Sequence, residues 1–102
     1  MSIEWAAGLF EGEGYIRKFS PLKHDYAVHI KMTDLDILQR FEEMFGGTIK
    51  RRPLTAPHHK PVWDWRLGTK AKVKNFLLLM LPHFGYRRTY LAQNLLDAMD
   101  AC

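Results

Sequence analysis

Two carboxylates, Glu11 and Glu13, are the side chains whose type and spacing most suggest chemistry. They lie in the segment WAAGLFEGEGYIRKF, residues 5–19, after a run of apolar residues with helical spacing. An acid at a helix C-terminus is unfavourable by roughly 0.3 kcal/mol or more unless a cation compensates, because that end carries partial negative charge. A divalent metal would compensate, and Mg²⁺ typically binds one or two carboxylates with phosphate oxygens and water. The residues alone leave open whether the two acids bind metal or are simply exposed turn residues.

The helix predicted to position these acids carries small residues on one side. Ser2 can cap its start, and Gly12 and Gly14 are predicted to end it. Gly8 and Gly12 are four residues apart and so share a face. Glycine within a helix costs roughly 0.5–1 kcal/mol relative to alanine, which close packing against another backbone would explain at Ala7, Gly8 and Gly12.

The rest of the sequence predicts two strand pairs and three more helices. Strands are predicted in two hairpins, at 15–19 with 26–32 and at 48–52 with 62–68. Helices are predicted at 35–45, 70–81 and 86–99, the first capped by Thr33 or Asp34 and ended by Gly46. The order α-β-β-α-β-β-α-α predicts one domain of the α+β class, with the helices packed on one face of a four-stranded antiparallel sheet.

The other face of the predicted sheet is mostly basic, because successive residues of a strand point to opposite faces. Its members are Tyr15, Arg17, Phe19, His29, Lys31, Thr48, Lys50, Arg52, Asp64 and Arg66. Such a face suits phosphates and base edges, and a two-stranded ribbon fits the DNA major groove. The alternative is an ordinary polar surface with basic residues guarding the sheet edges, but that would mix charge signs, and Asp64 is the only acid in the set.

The composition is that of an ordinary globular protein with a mild excess of positive charge. The 102 residues include 15 Lys plus Arg against 11 Asp plus Glu, a net charge of +4. The excess is compatible with a polyanionic partner without proving one. The single cysteine, Cys102, excludes an internal disulfide and a cysteine metal cluster. With no signal peptide or membrane span, we expect a soluble intracellular protein, in the cytoplasm or in an organelle with its own DNA, and no membrane partner.

Three segments resemble the LAGLIDADG family of homing endonucleases, which includes maturases and DNA-binding regulators. AAGLFEGEGYI (6–16) is similar to the motif that names the family. TDLDILQRFEEMFGG (33–47), LPHFGYRR (81–88) and the order of the elements resemble the corresponding parts of the family. The resemblance covers nearly the whole chain.

The resemblance implies roles for four residues. Glu13 matches the acid that binds the catalytic divalent metal, here Mg²⁺ or Mn²⁺, and Glu11 matches an acid at the helix end; glutamate replaces aspartate at both positions. Arg87 matches a basic residue, often lysine, that stabilises phosphate charge or positions the attacking water. Asp34 matches a polar catalytic position at the start of the second helix.

The resemblance also implies assembly and function. The family pairs two motif helices, so a chain with one motif implies a homodimer whose interface includes Ala7, Gly8, Glu11 and Gly12. The implied function is metal-dependent cleavage of double-stranded DNA at a roughly palindromic site. The alternatives are a catalytically silent DNA- or RNA-binding protein of the same fold, such as a regulator or a maturase-like factor, and a purely structural dimerisation module.

Overall fold

A computed structural model describes residues 2–16, 27–53 and 60–101 of the chain. The helices are α1 (Ile3–Glu13), α2 (Leu35–Phe45), α3 (Lys70–Met80) and α4 (Tyr86–Ala101), with a 3₁₀ turn at Leu81–His83 between the last two. The strands are β1 (Gly14–Ile16), β2 (Val28–Met32), β3 (Thr48–Arg51) and β4 (Trp63–Leu67). The predicted order of elements is confirmed.

The four strands form one antiparallel sheet in the order β1-β2-β4-β3. The two hairpins therefore meet at β2 and β4, in the middle of the sheet. The strands contribute buried Val28, Ile30, Trp65 and Leu67 to the core on one face. The predicted α+β class, with helices against one face of the sheet, is confirmed.

Aromatic rings fill the space between the helices and the sheet. Trp65 of β4 is fully buried, and its ring lies 5.2 Å from that of Phe41 in α2 and 5.7 Å from that of Phe76 in α3. Its indole N–H donates to the carbonyl of Gly46 at 2.9 Å, so the large ring is buried without an unpaired donor. Gly46 also ends α2, with the positive φ of 83° that glycine tolerates.

The first helix ends at Gly14, one of the two glycines that the sequence predicts to end it. Its start is as expected, since the Ser2 hydroxyl accepts from the N–H of Trp5 at 3.0 Å. Its end is not at Gly12: the helix continues through Glu13, and the N–H of Gly14 donates to the carbonyl of Phe10. A Cβ at Gly14 would overlap the Phe10 ring, so the close contact between helix end and ring requires glycine there.

The buried side of α4 differs from the predicted one. Leu95 and Met99 are buried as expected, together with Ala92 and Leu96, but Leu91 is 38% exposed. The buried side of α4 is therefore formed by Ala92, Leu95, Leu96 and Met99. In the described parts of the chain, no helix is both long and apolar enough to cross a membrane.

Candidate active site and nucleic-acid interface

Glu13 is an exposed carboxylate at the last residue of α1, where the helix passes directly into β1. It forms no hydrogen bond or ion pair with another residue in the described part of the chain. Nor does this part contain a group of three or more His, Cys, Asp or Glu side chains that could hold a metal ion. A single chain therefore offers Glu13 as one carboxylate ligand that needs oxygen donors from elsewhere, which suits the partly phosphate- and water-bound coordination of Mg²⁺.

Glu11 is used differently, although it lies only two residues away. Its Oε1 accepts from the backbone N–H of Gly85 at 3.3 Å, and its Oε2 lies 3.9 Å from Nε of Arg88. Within its own chain the Glu11 carboxylate therefore holds the segment before α4. The predicted contact of Glu11 with a second chain stays a prediction. The two acids of the motif thus point to different surroundings.

A surface pocket of about 460 Å³ lies between the end of α1, β1 and the start of α4. It is lined by Glu11, Gly14, Tyr15, Ile16, Arg87, Arg88 and Leu91. Arg87 is exposed at this pocket, and Glu13 directly precedes Gly14 of its wall. We call this junction of α1, β1 and α4 the corner. Arg87 and Arg88 line its pocket, and Glu13 belongs to the corner through its backbone, since its side chain does not line the pocket.

Asp34 is exposed at the N-cap position of α2, but its side chain makes no capping hydrogen bond. The pairing of β1 with β2 shows at which end of the sheet Asp34 lies. Gly14, where β1 begins, pairs with Ile30, two residues before the end of β2. Asp34 follows shortly after that end. It therefore lies at the same end of the sheet as Glu13.

The predicted nucleic-acid face forms two rows across the sheet. Cross-strand pairing places one row in the order Tyr15, His29, Arg66 and Thr48, and a second in the order Lys31, Asp64 and Lys50. Lys31, Thr48, Lys50, Arg52 and Arg66 are exposed, as the sequence predicts. Arg17 and Phe19 lie outside the described residues.

His29 is the exception, because it is buried where exposure was predicted. Its ring stacks on Tyr15 at a centroid distance of 4.9 Å, and its Nδ1 lies 3.1 Å from Oδ1 of Asp64. Only 6% of His29 is exposed. Burial lowers the pKa of His29 below its ordinary value of 6.5, and this outweighs the opposing effect of the Asp64 hydrogen bond. Asp64 also lies 3.8 Å from Arg52, so it acts chiefly within the sheet.

The outer side of α1 carries Gly8 and Gly12, both exposed. A Cβ added to either would meet nothing within 4 Å in the described chain, so the fold of one chain does not require glycine at these positions. Ala7 does not belong to this side. It is only 1% exposed and packs in the core of its own chain, and its predicted contact with a partner stays a prediction.

Several solved structures with a similar architecture are homing endonucleases in complex with DNA. The homing endonuclease I-CvuI, in complex with its target in the presence of 2 mM Ca, superimposes with a TM-score of 0.76 at 16% identity. The archaeal intron-encoded homing endonuclease I-Vdi141I, complexed with DNA, has a TM-score of 0.73 at 16% identity, and the LAGLIDADG homing endonuclease I-LtrWI, bound to target DNA, has 0.73 at 14%. The chain has the fold of the LAGLIDADG homing endonucleases.

This chain spans about two thirds of I-CvuI and I-Vdi141I and about one third of I-LtrWI. The similarity covers 96% of this chain and 65% of I-CvuI, 96% and 66% for I-Vdi141I, and 98% and 36% for I-LtrWI. No family model matches the sequence, and no curated protein matches it either. The similarity of the backbone agrees with the resemblance of the three sequence segments to this family.

Sequence reasoning missed one residue at the corner of this LAGLIDADG fold. Arg88 donates from Nη1 to the carbonyl of Gly14 at 2.6 Å and from Nη2 to the carbonyl of Glu11 at 2.9 Å. These partners are 74 and 77 positions away in the sequence. The available signal was only a second arginine beside Arg87, and a single sequence does not reveal which of two adjacent arginines turns inward.

Proposed function

We propose that the protein is a site-specific endonuclease that hydrolyses phosphodiester bonds of double-stranded DNA with the help of a divalent metal ion. The observation that carries this proposal is Glu13: an exposed carboxylate, without a partner in the described chain, at the end of the motif helix and beside a basic sheet face. When DNA binds to the basic face, repulsion between the phosphates and an unpaired carboxylate beside them is electrostatically unfavourable. The arrangement is favourable when a cation joins the carboxylate to phosphate.

Binding of DNA is supported by the two rows of side chains across the sheet. Lys31, Lys50 and Arg66 supply positive charge for phosphates, and Tyr15 and Thr48 supply polar and aromatic groups for bases and sugars. Asp64 lies among these residues, and its carboxylate contacts His29 and Arg52 within the sheet. The solved structures of similar fold are themselves complexes with DNA.

Glu13 would hold the metal ion, Mg²⁺ or Mn²⁺. A bound divalent metal supplies Lewis acidity toward the phosphate and activates water for in-line attack. Arg87, exposed beside this corner, would stabilise negative charge that develops on the phosphate oxygens as the P–O bond breaks. Asp34, at the same end of the sheet, would orient the attacking water by accepting its hydrogen bond.

Two copies of the chain would make the complete enzyme. Gly8 and Gly12 leave the outer side of α1 open for a second α1 to approach closely across a two-fold axis. This pairing would bring two Glu13 carboxylates near the axis and two sheets onto successive half-sites of a roughly palindromic DNA target. The metal ion would then have enough oxygen ligands, two from protein and the rest from phosphate and water.

The test begins with selection of DNA sites from a random duplex library in Ca²⁺ at low salt, followed by incubation of the selected duplexes in Mg²⁺ or Mn²⁺. The proposal expects specific binding in Ca²⁺ and double-strand cutting in Mg²⁺. Specific binding without cutting in either active metal would instead identify a catalytically silent DNA-binding protein of this fold. If no duplex binds at low salt, while a structured RNA does, the protein acts on RNA and the proposal fails.

A further inference from the structure

The corner that carries Glu13 is held together by a group that the proposed mechanism does not use, the guanidinium of Arg88. A helix leaves its last carbonyls without intrahelical partners, and its C-terminal end carries partial negative charge. α1 has no basic residue of its own in its last turn. The positive charge at this helix end comes instead from α4, through Arg88.

Arg88 binds the backbone on both sides of Glu13. Its two terminal nitrogens donate to the carbonyls of Glu11 and Gly14, two residues before and one residue after. A planar guanidinium presents these two donors in a fixed geometry, which a lysine ammonium on a flexible stem cannot reproduce. We infer that Arg88 is a positioning residue, which clamps the end of α1 and so fixes the direction in which the Glu13 carboxylate leaves the helix. The inference rests on the proposed function, because the clamp is useful only if Glu13 has a metal ion to meet.

The clamp is itself fixed from several sides. The Arg88 side chain is 17% exposed, its guanidinium carbon lies 5.4 Å from the centroid of the Phe10 ring, and Nε lies 3.9 Å from Oε2 of Glu11. The backbone before α4 is held as well, since Gly85 donates its N–H to Oε1 of Glu11. A Cβ at Gly85 would lie 2.9 Å from that oxygen, so glycine allows the carboxylate to approach. Both the backbone that carries Arg88 and the backbone that its guanidinium contacts are therefore held in place.

Glu13, by contrast, has no side-chain partner in the described residues and depends on the backbone for its direction. Ligand groups for a metal ion must be held to within a fraction of an ångström, so loosening of the last helical turn should weaken metal binding more than DNA binding. The hydrogen bonds of Arg88 go to the backbone of Glu11 and Gly14 rather than to the side chains of the DNA-binding rows. This difference separates a positioning role from general support of the fold.

The test compares wild type with Arg88→Lys, which retains the charge at the helix end but not the two-pronged contact. In the free protein, we expect the Gly14 amide to exchange with deuterium about tenfold faster, the effect of losing one charge-assisted hydrogen bond. In the complex with a duplex selected in Ca²⁺, the Mn²⁺ concentration that half-broadens the Glu13 amide signal should rise about tenfold, while the duplex Kd changes less than about twofold.

The control is Lys74→Gln, which removes an exposed cation of α3 that is paired with Asp100, at the other end of α4 from Arg88. It should leave both readouts at the wild-type value. Arg88→Met, which keeps the alkyl packing on Phe10, is the second variant and should exceed Arg88→Lys in both effects. Unchanged Gly14 exchange in Arg88→Lys would overturn the clamp. Faster exchange with unchanged Mn²⁺ dependence would overturn the positioning role.

These readouts also separate the inference from the proposed function. If the wild type binds no DNA and cuts none, the proposed function fails, and Mn²⁺ broadening of Glu13 is then measured in the free protein. A wild-type Mn²⁺ effect that is lost in Arg88→Lys supports the clamp even in that case. Absence of any Mn²⁺ effect at Glu13 overturns the inference together with metal binding.

Discussion

The two acids of the motif show at the residue scale what sequence could and could not separate. The spacing and the helix pattern identified Glu11 and Glu13 as the residues of interest, and left both metal binding and simple exposure open. Tertiary contacts divide them, because Gly85 and Arg88 engage Glu11 and leave Glu13 exposed. Partners more than 70 positions apart leave no local signal in one sequence, so this division could not be predicted.

A residue-scale prediction concerns the buried His29. Since its pKa in the folded protein lies below 6.5, the neutral ring is favoured, and the stability it provides is fully present above that value and decreases as the pH falls below it. We expect the Tm of wild type to fall more steeply than that of His29→Gln between about pH 7 and about pH 5. His83→Gln, at an exposed histidine, should follow wild type. Parallel profiles for wild type and His29→Gln would contradict the burial of a neutral ring.

At the scale of elements, periodicity predicted most of the fold because each helix buries one stripe and each strand one face. Ser2, Gly46 and the apolar residues of β2 and β4 behaved as their types indicate. An error arose where a neighbour overrides local pattern: His29 lies on the polar face but is covered by Tyr15. Gly12 lies within the helix, and we attribute its presence there to the proposed contact between its exposed side and a second α1.

The proposed pairing of two α1 helices gives a prediction at the scale of elements. Gly8→Leu introduces a better helix former into open space, so in a single chain it should leave the unfolding free energy unchanged or raise it by up to about 1 kcal/mol. In a dimer joined through α1, the same side chain would keep the two helices apart. Sedimentation should therefore show a dimer for wild type and a monomer for Gly8→Leu. The control is Gln39→Leu, at an exposed position of α2, which should remain a dimer. A Gly8→Leu dimer, or a wild-type monomer, would contradict the pairing.

At the scale of the whole molecule, strand pairing places the exposed Lys31, Lys50 and Arg66 on one face of the sheet, the face that we propose binds DNA. The net charge of +4 gave little guidance, whereas strand alternation predicted which residues share the basic face. The similarity to solved structures supports the overall fold. At 14–16% identity, comparing this chain with those proteins residue by residue has little power.

Salt dependence tests this arrangement. The slope of log Kobs against log salt should become shallower by about 0.9 for each phosphate contact that is lost. Lys50→Ala should therefore reduce the slope by about 0.9 per chain, or about twice that in a dimer, when measured by fluorescence anisotropy. Lys74→Ala, which alters a cation paired with Asp100 on the helical side, should leave the slope unchanged. Equal slopes for wild type and Lys50→Ala would remove Lys50 from the DNA interface.

The central claim is that DNA cleavage requires the carboxylate of Glu13 to hold the metal ion. Its most direct test is the single-turnover cleavage rate of a selected duplex in Mg²⁺, measured for wild type, Glu13→Gln and the exposed-acid control Glu43→Gln. We expect Glu13→Gln to cut at least about 100-fold more slowly, with its duplex Kd in Ca²⁺ changed less than about twofold, because the amide retains the shape but not the charge that holds a metal ion. Glu43→Gln should match wild type. Cleavage by Glu13→Gln at the wild-type rate would contradict the account.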